Sequence, residues 1–384
     1  MRFPEEIFKT MKRRLLAILC SALVILMAGC TSGVLRQEPS VSGLDSEAWR
    51  YDETLPVPII LGCSDAGTKA QINDVAALDD KIFGTFAINK DADTIETLFS
   101  NKVSQYQHER RKFIFGTTTD ASRPEDYIYY PVDSEVNYSF YAYYAYQPDN
   151  KVVIMPESEV SEDGKKILVN MPVAKEADIL WGKAETSGYG FNAHFLRQNK
   201  NQDVGPRFVF KHPAACLSFT ASTAPGLTLK EGGYHPLIQH VKFYNLPTNA
   251  QLCIYDCEHS KEGTFIKVNE RGTQYLTVKG GHQNLNAEVK GAEPAPVGDI
   301  FIAPQDGPLE CGINIRWAKF KGEDAQGNKS YSVGSNKYYK FPIYPYGPDG
   351  QGGFEAGKRY RINLYIGYKG GHCYIHSIGS YLPD

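Results

Sequence analysis

Beyond residue 30 the sequence has no extended block of lysine or arginine. Nucleic-acid phosphates demand a concentrated basic surface, so a nucleic-acid partner is excluded. Local signatures of catalysis are missing as well: there is no P-loop pattern, no HExxH, no GxSxG elbow and no EF-hand loop. Active sites often carry no local signature, so this weakens the case for an enzyme without closing it. No stretch sustains the periodicity of an amphipathic helix. The longest apolar run, at residues 15–27, is shorter than the roughly 20 residues that a membrane-crossing helix needs.

Cysteine is present without forming a framework. Of the eight, Cys20 and Cys30 lie in or at the end of the N-terminal apolar segment, and the other six are scattered over a chain long enough to need no disulfides. Cys253 and Cys257, in CIYDC, match neither a redox CxxC nor a zinc-finger pair. On a strand their side chains would share a face about 13 Å apart, beyond disulfide reach. The expectation is small buried thiols.

What is present begins with MKRRLLAILCSALVILMAGC at residues 11–30. Lys12, Arg13 and Arg14 form a basic cluster, an apolar stretch follows, and Ala28 and Gly29 supply the small residues that precede a signal-peptidase cut. Because the next residue is Cys30, the segment resembles the bacterial lipoprotein signal, which implies acylation of Cys30. Met27 stands three positions before the cysteine, where leucine is usual. Residues 1–10 add nothing to such a signal, which makes Met11 a candidate start. Removal of residues 1–29 takes away five basic and two acidic residues, so the 41 Lys and Arg and 44 Asp and Glu become 36 and 42, a net charge of −6. The remaining length exceeds what one core usually supports, and two domains are expected.

The rest of the chain reads as strands. Residues 166–173 place Ile167, Val169, Met171 and Val173 on one face, and residues 359–366 do the same with Tyr360, Ile362, Leu364 and Ile366. VNYSFYAYYAY at 136–146 alternates aromatic and small residues on both faces. Further strands are expected at 81–88, 207–210, 216–221, 240–244, 251–255, 274–278, 313–320 and 331–339. Between them lie Gly, Pro, Asn and Asp clusters, the residues of turns. Short strands separated by turns predict an all-β protein of β-sandwiches. The polar stretch RQNKNQDVG at 197–205 is the expected boundary, giving an N-terminal domain at 51–205 and a C-terminal domain at 206–384 after a signal at 1–29 and a tether at 30–50.

No metal or cofactor site is indicated. His372 and His376 are four apart, but GGHCYIHSIGSY reads as a glycine turn entering a strand, where the two would not converge. The carboxylates Glu157, Glu159, Glu162 and Asp163 surround a turn and read as a solvated loop.

Taken in order, PVPIILG (56–62), GTKA (67–70), YYPVDSEVNYSFYAYY (129–144), DILWGKA (178–184), FKHPAACLSF (210–219) and FEAGKRYRINL (354–364) resemble the fimbrillins of Bacteroidetes, specifically the Mfa-like, fimbrillin-like lipoproteins. The resemblance implies two β-sandwich domains of transthyretin-like topology, a lipid anchor at Cys30 in the outer membrane, and assembly into surface pili that serve adhesion. In the major pilus subunits of the family an arginine-specific protease cuts after the first strand. The groove so opened accepts a strand from the next subunit, because a missing strand exposes backbone donors and apolar pockets.

Carried onto this sequence, the displaced strand is residues 56–62, with Val57, Ile59 and Leu61 on one face and Ile60 on the other. The matching cut falls at Lys69, where the family has arginine, so a trypsin-like protease accepting lysine is required; the plain alternative is that Lys69 is an ordinary turn residue. Cutting after Arg50 would free the lipid but leave the groove closed. The segment 360–382 is the candidate donor or closing strand. TSGVLRQEPS after Cys30 lacks the early acidic cluster common in surface-exported lipoproteins of these bacteria, which leaves a periplasm-facing orientation open.

Two other readings compete. A monomeric surface glycan-binding lipoprotein would use the 25 tyrosines and three tryptophans (Trp49, Trp181 and Trp317), although aromatic residues more often fill cores. A hydrolase on a sandwich scaffold would require a concave pocket of converging titratable groups. The sequence favours the pilus subunit, with other subunits as strand-exchange partners, the membrane as a partner through Cys30, and a host or bacterial surface receptor or glycan as a further one.

Overall fold

The computed structural model describes residues 47–64, 75–116, 127–132, 135–144, 155–173, 178–184, 190–229, 233–276, 287–289, 291–326, 329–332, 334–345, 352–369 and, for the backbone, 372–381. In chain order the strands are β1 (Gly62–Cys63), β2 (Ile82–Asn89), β3 (Thr97–Gln107), β4 (Lys112–Phe115), β5 (Tyr138–Tyr144), β6 (Ser158–Val160), β7 (Lys166–Pro172) and β8 (Leu180–Ala184). Helix α1 (Ala193–Gln198) is followed by β9 (Arg207–Lys211), β10 (Ala215–Thr223), β11 (Tyr234–Asp256), β12 (Phe265–Leu276), β13 (Ala287–Glu288), β14 (Ala295–Ile302) and β15 (Gln305–Asp306). The remainder are β16 (Leu309–Glu323), β17 (Lys329–Tyr331), β18 (Ser335–Ile343), β19 (Gly353–Phe354), β20 (Arg359–Lys369) and β21 (His372–Tyr381). At 58% strand and 5% helix the protein is all-β.

Seven strands close a barrel in the order β1-β4-β3-β2-β5-β8-β9, with β1 pairing parallel to β9 and antiparallel to β4. A second sheet runs β14-β10-β20-β21. A third runs β17-β16-β11-β7-β6, with β12 and β13 also on β11 and β18 on β16. The alternation read from the sequence decides how these layers pack. Strand β5 sends Phe140 and Ala142 into the barrel interior and Tyr141 and Tyr143 to the opposite side, where Ile167, Val169 and Met171 of β7 and Leu252 and Ile254 of β11 cover them. Both faces of this strand are therefore buried, which accounts for its aromatic content. Tyr360, Ile362, Leu364 and Ile366 of β20 pack against Val241 and Phe243 of β11 and Ile313 and Ile315 of β16 to form the C-terminal core.

The sequence predicts two strands, at 240–244 and 251–255, with NLPTN as a turn between them. The structure has one strand there, β11, bent instead of reversed. Asn245 takes a left-handed φ of 51°, the pairing with β12 shifts between Phe243 and Leu246 and again between Pro247 and Asn249, and the Arg271 guanidinium donates to the Asn245 carbonyl at 3.0 Å across the bend. Bulges of this kind let a strand change direction without leaving its sheet. The first half of β11 lies in the C-terminal core and the second half under the barrel. The expected boundary at 205/206 falls just before β9, which pairs with β8 and β1 in the barrel.

A buried carboxylate ties the barrel to the loop between β11 and β12. Glu262 accepts from the Tyr141 hydroxyl at 2.9 Å and from the Lys183 ammonium at 2.9 Å, and it lies 2.8 Å from His259 Nδ1. Beside it, Lys211 Nζ stands 4.4 Å over the Trp181 ring, whose Nε1 donates to the Ile254 carbonyl at 3.0 Å.

Candidate strand-exchange site

The segment leading into β1 is extended, and its side chains alternate. Val57, Ile59, Leu61 and Cys63 are buried at 1, 2, 0 and 7% exposure, whereas Ile60 is 38% exposed. The period of two puts the odd-numbered residues into the barrel core beside Phe113, Tyr130 and Phe208. The backbone is held from both sides. Ile59 N–H donates to the Ile128 carbonyl at 2.8 Å, Tyr130 N–H to Val57 at 3.0 Å and Phe113 N–H to Leu61 at 2.9 Å. On the other flank Gly62 N–H donates to Pro206 at 2.9 Å and Ser64 N–H to Phe208 at 2.9 Å. β1 thus closes the barrel between β4 and β9, and its loss would leave both neighbours with open edges.

The fit is not complete. A cavity of about 20 Å³ remains beside Ile59 and Ile60, lined also by Phe113, Phe115 and Tyr127. The Tyr130 hydroxyl is buried without a hydrogen-bond partner among the described residues, and that burial holds its pKa well above the ordinary tyrosine value. An unmet buried hydroxyl costs on the order of 1–3 kcal/mol.

Upstream, residues 47–55 are strapped to α1. Arg197 donates to the carbonyls of Glu53 and Leu55, at 3.1 Å for Glu53, and Arg50 donates to the Lys200 carbonyl. Lys200 Nζ in turn sits 4.7 Å over the Tyr51 ring. Helix α1 starts where Asn192 caps it by accepting from Phe195 N–H at 2.6 Å. Arg50 is half-buried in a 3-10 turn, Glu47–Arg50, so a cut after it would leave the Arg197 strap and all five backbone bonds of residues 56–64 in place. Cys30 and Lys69 lie outside the described residues.

The segment 360–382 divides into two strands of different standing. β20 is interior, paired parallel to β10 on one side and antiparallel to β21 on the other, with four side chains fully buried. Among the described residues β21 pairs with β20 alone and forms the edge of that sheet. Only β21 can leave without opening the C-terminal core from the middle.

Among the described residues Cys216, Cys253, Cys257 and Cys311 are free thiols. Burial pushes the Cys253 thiol up to about 12, so it is a protonated core residue, not a nucleophile. Among the described residues no group of three or more His, Cys, Asp or Glu is placed to hold a metal ion.

The geometry defines a class: an all-β protein of packed sheets in which a short strand, the first among the described residues, closes a barrel. The chain belongs to the fimbrillin-like family, whose model matches residues 68–372. It is not a family of enzymes. The match begins just past the first strand. Among solved structures, the chain is similar to a candidate cell adhesion protein from Bacteroides uniformis (15% identity, TM-score 0.46, 87% of this chain and 99% of that one). It is also similar to one from Bacteroides ovatus (14%, 0.45, 86% and 99%). A candidate polysaccharide-binding protein from Bacteroides thetaiotaomicron aligns at 9% identity and a TM-score of 0.36, over 81% of this chain and 92% of that one. No curated protein matches the chain.

Proposed function

We propose that the protein is the outer-membrane lipoprotein precursor of an adhesive pilus subunit, non-catalytic, anchored through Cys30 and assembled by replacement of residues 56–64 with a strand from another subunit. The observation that carries this is the first strand itself. It supplies three large buried side chains, worth about 2 kcal/mol each, and five backbone bonds, worth about 1 kcal/mol each, to the barrel that it closes. Against that total of roughly 11 kcal/mol, ordering the nine residues 56–64 costs on the order of 9–18 kcal/mol. The two are of similar size, so the strand stays in place largely because it is tethered. A cut between β1 and β2 removes the tether, and a better-fitting strand wins the groove. Lys69 lies in that interval and is the proposed cut; Arg50 lies on the wrong side of the strand. The edge strand β21 is the candidate donor, released in one subunit and taken up by the next.

Intact mass and N-terminal sequencing of the protein from host outer membranes test the reading. A chain beginning at Ala70 in high-molecular-weight material is the expected result. A chain that always begins at acylated Cys30 and is recovered as a monomer would overturn strand exchange and favour the monomeric lipoprotein.

A further inference from the structure

A cleft of about 570 Å³ opens where the bend in β11 meets the 304–310 turn, lined by Tyr244, Asn245, Arg271, Gln305, Asp306 and Glu310. Tyr244 joins it to an aromatic and basic patch on the same sheet. Pairing across the sheet sets Tyr275 of β12 opposite Lys242 of β11, Lys242 opposite Gly312 of β16, and Gly312 opposite Lys340 of β18. In the next row His240, Asn314 and Tyr338 stand opposite one another. Tyr275 and Tyr338 are 56% and 43% exposed, with the His240 ring 5.9 and 6.3 Å from theirs. A Cβ on Gly312 would overlap the Tyr338 hydroxyl, so glycine is what allows that ring to lie down on the strand and reach Tyr244.

Two features of this surface are unmet. Gln305 Oε1 in the cleft and Asn314 Oδ1 in the patch are buried acceptors with no hydrogen-bond partner among the described residues. Buried polar atoms are normally satisfied, so each marks a place where a donor is wanted. Large exposed tyrosine faces next to such atoms are the second feature, since they offer stacking area left open among the described residues.

The mixture decides the ligand class. An aliphatic ligand would leave Gln305 and Asn314 unsatisfied. A polyanion would face Asp306 and Glu310, the latter already paired with Lys340 at 2.8 Å. A sugar ring has an apolar C–H face to lay on tyrosine and a rim of hydroxyls that both donate and accept, which suits amides, carboxylates and a guanidinium side by side. The volume falls within the 300–1,000 Å³ usual for ligand sites.

We propose that this cleft and its tyrosine patch form an oligosaccharide-binding site, with Tyr275 and Tyr338 as stacking faces and Arg271, Gln305 and Asn314 as the hydrogen-bonding groups. The site is built from β11, β12, β16, β18 and the 304–310 turn, none of which contributes to the barrel seam, so it does not rest on strand exchange.

The test is a glycan array of neutral, sialylated and sulfated oligosaccharides, read with the purified mature chain and with Tyr275→Ala, Tyr338→Ala and Gln305→Leu. Tyr234→Ala, an exposed tyrosine that stacks on Trp317 and lines neither cleft nor patch, is the control. Thermal melting of every variant confirms folding. Binding of at least one oligosaccharide, weakened about tenfold or more by each site variant and unchanged by the control, is expected. Binding to no array member by the folded wild-type chain overturns the proposal, as does binding that survives both tyrosine substitutions. Binding confined to sulfated glycans and abolished by 0.5 M salt also overturns it, because that would be charge attraction and not stacking.

Discussion

The amide of Phe113 donates to the carbonyl of Leu61 at 2.9 Å, while the Leu61 side chain beneath that bond is fully buried. One residue therefore serves both functions of the first strand: its backbone seals the barrel at β4 and its side chain fills the core. The neighbouring Ile60 has a similar apolar side chain and points outward.

Substitutions along this segment should follow its alternation. Leu61→Ala and Ile59→Ala are each expected to lower stability by about 2–4 kcal/mol through lost burial and a residual cavity. Ile60→Ala should change it by less than about 1 kcal/mol. Chemical denaturation of the three variants measures the contrast, and equal losses would mean that the strand is not seated as described.

Much of this was legible beforehand, and the reasons are local. Period-two patterns in residues 166–173 and 359–366 point straight at the residues that line the cores, and Val57, Ile59 and Leu61 alternate with Ile60 in the sequence as they do in space. Strand β11 was not legible as one element, because Asn245 and Pro247 are turn residues by chemistry and only the continuous partner β12 holds them in a bent strand. Strand β3 was missed because TLFSNKVSQYQ is mostly polar and largely exposed along its first half. The cleft could not be read at all: Tyr244, Arg271 and Gln305 come from three elements and form no local motif.

The buried carboxylate at Glu262 should be costly to remove. Glu262→Ala deprives the Tyr141 hydroxyl and the Lys183 ammonium of their acceptor in a largely dry site. A loss of about 3 kcal/mol is expected, with a smaller one for Glu262→Gln, which keeps an acceptor oxygen. Urea unfolding of both variants measures the difference.

Acid should weaken the fold through Asp256. Its fully buried carboxylate is penalised by desolvation, yet bonds from Glu258 N–H, the Ser260 hydroxyl and Lys261 N–H, together with Lys166 at 3.7 Å, outweigh that and hold its pKa below 3.8. A depressed carboxylate pKa contributes stability that is present above the unfolded value and is lost as pH falls from there through the folded value. Melting temperature measured from pH 6 down to pH 3 should therefore drop below about pH 4, and Asp256→Asn should flatten that part of the profile.

Cys30→Ala should leave the precursor uncleaved and without lipid, read by intact mass of the membrane-extracted protein. Cleavage before residue 30 together with acylation in this variant would refute the anchor.

Strand replacement is tested most directly by light scattering coupled to size exclusion on the purified mature chain, cut at Lys69 by brief trypsin treatment, with and without excess synthetic peptide of residues 56–64. The cut chain should form multimers, and the peptide should hold it as a monomer by refilling the groove. A cut chain that has shed residues 56–64 and stays monomeric without the peptide would contradict it.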